Sequence, residues 1–305
     1  MFPDANILGI DLYWLVVVIG IVTAMIVARL LYKHVGVSFA VFRFAILVLI
    51  GAIFIGYVFA ILFQSWYAYI ETGVFEWGIG ATFYGGLIGA VVVFVAAYFG
   101  IGHFVFKDKR HVTEFHRIVS LFMPCVALAH GFGRVGCLFA GCCYGIATDS
   151  WIGISMFVNG EWQKRVPTQL FEALFLFALF AVLIVLIEKK KLADYTASIY
   201  LMAYGVFRFA IEYVRDDYRG ASGVAFLTPS QLTAVLLAIF GAALIVLYKY
   251  ILKSAYARVA EKYGGASVVT NGEAIDVADA DAVTEPVEQE KADAENVPAE
   301  QVGDE

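Results

Sequence analysis

The 305-residue sequence predicts an all-α polytopic membrane protein with about seven transmembrane helices, an external N-terminus and a cytoplasmic C-terminus. The first sign is composition. Apolar residues make up 61 % of the chain and charged residues 16 %, and the mean hydropathy is +0.80. An ordinary soluble domain has roughly 45–50 % apolar and 25 % charged residues. The second sign is that apolar runs of about 20 residues, the length of a membrane-crossing helix, recur along the chain. The third is the lack of strong period-two alternation, which argues against a transmembrane barrel.

The expected spans are about 12–32, 40–63, 79–101, 117–139, 168–187, 195–214 and 230–251. No charged segment precedes the first apolar run, so no cleavable signal peptide is expected. Orientation follows from lysine and arginine placement. Fourteen basic residues fall around the first, third and fifth loops and after the last span. Only Lys164, Arg165, Arg215 and Arg219 fall on the other side.

Residues 1–263 form the expected membrane body and 264–305 an acidic tail. Between Ser267 and Glu305 there are 12 acidic residues, one lysine and no aromatic residue. Such a segment cannot bury enough apolar surface to fold and is expected to be disordered and cytoplasmic. The chain's net charge of −6 is negative because of this tail. The body is left with a small positive charge, which suits loops lying on anionic membrane lipid and gives no reason to expect a nucleic-acid partner. No internal repeat is visible, which argues against a transporter built from inverted halves.

Polar groups inside the spans stand out, because each is costly unless paired or wetted. In HGFGRVGCLFAGCCYG, His130 to Gly145, His130 and Arg134 are four residues apart and share one helical face. Gly131, Gly133, Gly136 and Gly141 thin that helix for close approach of a neighbour or a lipid head group. Arg134 alone could simply snorkel to the interface. In YGVFRFAIEYVRDD, Tyr204, Arg208 and Glu212 also line one face. Arg208 and Glu212 could be an internal pair that only fixes packing. Two arginines at similar depth, however, suit an anion, and there the available anion is a phospholipid phosphate.

Two further stretches belong with these. ATFYGGLIGA, residues 81–90, places Tyr84 beside Gly85 and Gly86, and PTQLFEALF, residues 167–175, places Thr168, Gln169 and Glu172 in the first turns of a span. Thr168 reads as an N-cap. Cys125, Cys137, Cys142 and Cys143 fall within 19 residues. They lack the two paired C-x2–4-C spacings of a four-thiolate zinc site, and no metal or other cofactor is expected. A turn at Gly141 would bring Cys137 near Cys142 or Cys143. A structural disulfide, small packing residues and redox or nucleophilic thiols all remain open there, whereas Cys125 reads as packing.

Taken in order, YGGLIG, GRVGCLFAGCCYG, PTQLFEA and YGVFRFAIEYVR resemble the prolipoprotein diacylglyceryl transferase family over roughly residues 10–252. The resemblance implies an enzyme of the bacterial cytoplasmic membrane. It would move the diacylglyceryl group of phosphatidylglycerol to the lipobox cysteine of a prolipoprotein signal peptide, releasing glycerol phosphate. By that resemblance Arg134 is the arginine of the G-R-x-G signature and Gly145 its final glycine. Tyr204, Arg208 and Glu212 match the Y-G-x-x-R-F-x-x-E motif, and Gln169 and Glu172 the P-[ST]-Q-L-[YF]-E element. Tyr84 stands where the family carries a histidine proposed as base. Cys137, Ala140 and Cys142 replace its usual asparagines and glutamate. The chain therefore resembles a divergent branch, in which His130 or Tyr84 would serve as base and Arg134 and Arg208 would hold the phosphate. Two other readings are a non-catalytic lipid- or partner-binding relative and a membrane thiol–disulfide protein, although the latter lacks a C-x-x-C pair.

Overall fold

The computed structural model describes residues 6–7, 9–78, 80, 82–158, 160–190, 192–216 and 227–263. The expected tail, 264–305, and Arg219 lie outside the described residues. A short hairpin, β1 (Asn6–Ile7) with β2 (Ile10–Asp11), leads into α1 (Leu12–Leu31), α2 (Phe39–Thr72) and α3 (Phe83–Val105). A single turn, α4 (Arg110–Thr113), precedes α5 (Phe115–Ala140). Strands β3 (Ile154–Val158) and β4 (Glu161–Arg165) follow, then α6 (Thr168–Glu188), α7 (Thr196–Ile211), α8 (Pro229–Leu247) and α9 (Lys253–Tyr263).

Among the described residues, six segments are long and apolar enough to cross a bilayer: Leu12–Leu31, Phe39–Ile70, Gly85–Val105, Phe115–Ala140, Thr168–Glu188 and Pro229–Val259. The chain is a multi-pass helical membrane protein. The span expected at 195–214 is a shorter helix. α7 has 16 residues, extended by 3-10 turns at Ala193–Tyr195 and Glu212–Val214. At about 1.5 Å per residue it covers about 24 Å, short of the roughly 30 Å hydrocarbon core. α2 errs the other way: its 34 residues reach about 50 Å. Leu47, Phe54 and Ile70 on α2 and Ile239 and Phe240 on α8 are exposed, as lipid-facing side chains are.

α5 is the most buried of the spans and packs on α1, α6 and α7. Glycines set the distances. A Cβ on Gly131 would lie 2.6 Å from the Phe177 ring of α6, and one on Gly136 would lie 3.1 Å from Tyr13 of α1. Gly133, expected to serve the same end, faces open space. α7 and α8 meet at Gly205, where a Cβ would stand 2.7 Å from the Ala234 carbonyl oxygen. Without a strong hydrophobic drive between helices in lipid, close backbone packing of this kind holds a bundle together. At the other end of α5, Glu114 Oε2 accepts from the Ser38 amide at 2.8 Å and its hydroxyl at 3.0 Å, capping α2 from outside the helix.

The β3–β4 hairpin departs from the all-α expectation. Its strands pair from Ile154↔Arg165 to Val158↔Glu161, around a two-residue connection in which Gly160 has φ 86°. Met156 and Val158 point inward and pack with Leu138, while Ser155 and Phe157 point outward. Asn-Gly between two such runs is a strong short-range hairpin signal, which hydropathy does not register.

Candidate functional site

Glu172, on the second turn of α6, is fully buried and gathers groups from three other elements. Tyr204 of α7 donates its hydroxyl to Glu172 Oε1 at 2.8 Å. Arg134 of α5 brings Nε to 3.0 Å from the same oxygen, and His130 Nε2 lies 3.9 Å from it. The other oxygen, Oε2, is 3.8 Å from Arg215 Nη1. His130 and Arg134 reach one carboxylate because a four-residue step returns to the same helical face. His130 Nδ1 also shares a hydrogen bond of 3.1 Å with the Tyr200 hydroxyl.

A second carboxylate continues the network. Glu212 Oε2 is 2.7 Å from Arg208 Nη1 and 3.7 Å from Arg215 Nε. Glu212 Oε1 accepts from the Thr228 hydroxyl at 2.8 Å. Arg215 thus touches both carboxylates, with its side chain only 2 % exposed. Arg134, Arg208 and Arg215 thus converge on Glu172 and Glu212. Arg208 Nη2 is buried with no hydrogen-bond partner among the described residues. Buried charges persist only when paired or held for a ligand, and a planar guanidinium with a spare edge is suited to a phosphate or carboxylate.

Beside this cluster α5 ends in a turn rich in thiols. Gly141 adopts φ 70°, Cys142 N–H donates to the Cys137 carbonyl at 3.2 Å, and Gly141 N–H donates to that of Leu138 at 3.3 Å. This is a Schellman closure, and it folds the chain back over Cys137. Cys143 follows at φ 64°, a left-handed conformation unusual for a side-chain-bearing residue. The first turn of α6 clamps the turn. Thr168 Oγ1 donates to the Cys143 carbonyl at 2.8 Å and Gln169 Nε2 to the Cys142 carbonyl at 2.6 Å. The Cys137, Cys142 and Cys143 sulfurs all lie within 4.8 Å of one another, and no disulfide joins them. Hydrogen bonding with Cys137 and Cys142 pulls the Cys143 thiol below the ordinary cysteine range, and Arg134 and Arg215 act in the same direction.

The sequence-predicted residues divide into three groups. His130, Arg134, Glu172, Tyr204, Arg208 and Glu212 come together in one network. Gln169 and Thr168 hold the thiol turn instead of facing the charges. Thr168 is the first helical residue and not the N-cap, which is Pro167. Gly145 serves the same turn. Its amide donates to the Val166 carbonyl at 2.9 Å, and a Cβ there would stand 2.5 Å from the Val214 oxygen. Gly85 and Gly86 of α3 instead face α2, where Cβ atoms would meet Phe63 at 2.6 Å and Ala60 at 3.1 Å. The Tyr84 side chain lies outside the described residues. Cys125 is buried in its helix, with its thiol 3.5 Å from the Leu121 carbonyl oxygen.

Sequence reasoning missed Arg215, Tyr200 and Arg165. In the sequence Arg215 reads as a loop charge, and its place three residues after Glu212 is the signal that pairs the two. Arg165 is buried too: Nη1 is 2.5 Å from Asp216 Oδ2 and donates to the Gly145 carbonyl at 3.2 Å. Its guanidinium covers the Tyr144 ring at 4.7 Å. Ile146 N–H donates to the Val214 carbonyl at 3.0 Å, so the segments carrying Arg165 and Arg215 are laced together through 144–147.

The family model described as prolipoprotein diacylglyceryl transferase matches residues 4–247. Phosphatidylglycerol–prolipoprotein diacylglyceryl transferase 2 of Clostridium perfringens is 38 % identical over 54 % of this chain and 61 % of its own length. The corresponding transferase of Clostridium tetani is 34 % identical over 54 % and 62 %. The chain thus spans about three fifths of these two relatives. That of Pseudomonas paraeruginosa is 32 % identical over 78 % of this chain and 89 % of its own. No solved structure matches. With four-fifths of its length matched by the family model, and with its membrane helices converging on a buried arginine–glutamate network, the chain belongs to the prolipoprotein diacylglyceryl transferase family.

Proposed function

We propose that the protein transfers the diacylglyceryl group of phosphatidylglycerol to a lipobox cysteine thiol of a prolipoprotein, in the bacterial cytoplasmic membrane. The observation that carries this reading is the buried guanidinium of Arg208, whose Nη2 has no hydrogen-bond partner among the described residues, beside the Arg134 guanidinium on Glu172. A phospholipid phosphate is the anion available at such a place. Glu172 and Glu212 hold the arginines in position before substrate arrives.

In the reaction, the acceptor sulfur attacks the glyceryl carbon that bears the phosphate ester. The carbon–oxygen bond breaks, its electron pair stays with the phosphate oxygen, and glycerol phosphate leaves. The arginines offset the charge growing on that oxygen. His130 takes the thiol proton. In the tautomer whose Nδ1–H donates to the Tyr200 hydroxyl, Nε2 keeps a lone pair, and Glu172 stands close enough to favour the imidazolium that forms.

The lipid-binding alternative draws on Tyr84, which stands at the family's histidine position. One experiment separates them: purified protein with head-group-labelled phosphatidylglycerol and a lipobox peptide. The transferase reading expects thioether product and released glycerol phosphate in equal amounts, lost in His130→Gln and milder in Tyr84→Phe. Lipid binding with neither product favours the alternative, and a dead Tyr84→Phe with an active His130→Gln moves the base to the tyrosine.

A further inference from the structure

The transfer reaction proposed above leaves the three-thiol turn without a role. Its construction is specific. The sulfurs of Cys137, Cys142 and Cys143 approach within 4.8 Å of one another, from one helix end and two consecutive turn residues. Backbone strain is spent at Cys143, at φ 64°, in a conformation that brings its sulfur to the other two. The carbonyls of Cys142 and Cys143 are each fixed by a fully buried side chain, Gln169 and Thr168. A single disulfide would use two of the three sulfurs and leave the third, whereas a metal ion uses all three.

We propose that Cys137, Cys142 and Cys143 form a three-thiolate site for a thiophilic d10 cation, with Zn2+ as the expected ion. Soft thiolates select zinc and its congeners over hard cations. Zinc–sulfur bonds of about 2.3 Å place tetrahedral ligand sulfurs roughly 3.8 Å apart. Closure from 4.8 Å therefore asks for about 1 Å of movement, which the exposed Cys142 side chain can supply. Fixed carbonyls behind the ligands are the outer support such sites use. The spacing argument against zinc concerned four protein thiolates; with three, the fourth position is left to solvent or to an incoming ligand. When bound, the ion ties the end of α5, one turn past Arg134, to the turn held by α6.

The test is a titration of the full chain, purified in detergent, reduced and stripped by a chelator, with Cd2+ as the spectroscopic stand-in for zinc. The expected result is one Cd2+ per chain with a thiolate-to-metal charge-transfer band. Cys137→Ser and Cys142→Ser should each weaken binding by more than the roughly 10–100-fold that loss of an outer-shell partner costs, with Gln169→Ala falling in that range. Cys125→Ser should bind like the parent. The parent titration decides the matter even if a variant fails to fold. Absence of stoichiometric Cd2+ binding, an unchanged band in Cys137→Ser, or a disulfide among the three found by mass spectrometry in the isolated protein would each overturn the site. None of these readouts depends on lipid transfer, so the site can fail while the transferase reading stands.

Discussion

Glu172 is where the residue-level chemistry concentrates. A carboxylate with no exposure is stable only through its partners, here Arg134 and Tyr204 at hydrogen-bond distance. Replacing one member of a buried ion pair strands the other, at about 3–5 kcal/mol. Glu172→Gln should therefore lower the thermal stability of the detergent-solubilised protein sharply. The double change Glu172→Gln with Arg134→Gln should recover part of that loss, which a double-mutant cycle would read directly. Additive losses would mean that the pair does not carry the energy assigned to it. The sequence made this pair half visible: Glu172 is conspicuous on an apolar helix, and Arg134 in a glycine-rich one. Their mutual contact was hidden, because periodicity places residues on faces and cannot say which faces meet. Arg215 was hidden for another reason. It lies past the end of α7, where loop charges are expected, and only the 3-10 turn at Glu212–Val214 folds it back inward.

At the scale of elements, helix placement was readable and helix contact less so. Glycines were legible as thin spots, yet their uses differ. Gly205 has the backbone of α8 against it, whereas Gly133 has open space. Gly205→Val should push α7 off α8, costing about 1–3 kcal/mol through overpacking and displacing Arg208, so that stability and lipid transfer fall together. Gly133→Ala should be neutral or slightly stabilising, since alanine favours a helix interior over glycine by about 0.5–1 kcal/mol. Thermal melts of the two variants check both; similar destabilisation would refute the packing at Gly205. The hairpin is invisible to hydropathy, which assigns everything between spans to loops. Its alternating inward Met156 and Val158 only become meaningful once Leu138 is beside them.

For the whole molecule, lysine and arginine asymmetry predicts that the loop at Lys189 is cytoplasmic and the one near Gly160 external. Reporter fusions at those two places should read accordingly, and the reverse pattern at either would invert the topology. Deletion from Gly264 onward should leave lipid transfer intact, since that segment is acidic and lacks aromatic residues. Composition sufficed for the membrane class, while the convergence of α5, α6 and α7 on one charge network needed three dimensions. The central claim is that this network holds a phosphate through forked guanidinium contacts, which the point charge of lysine cannot reproduce. The most direct measurement is the rate of glycerol phosphate release by Arg208→Lys in reconstituted vesicles containing phosphatidylglycerol and a lipobox peptide. Loss of one charge-assisted contact to a developing anion predicts a rate lower by about 10²–10³, with normal membrane insertion. A rate within a few-fold of the parent would contradict the claim.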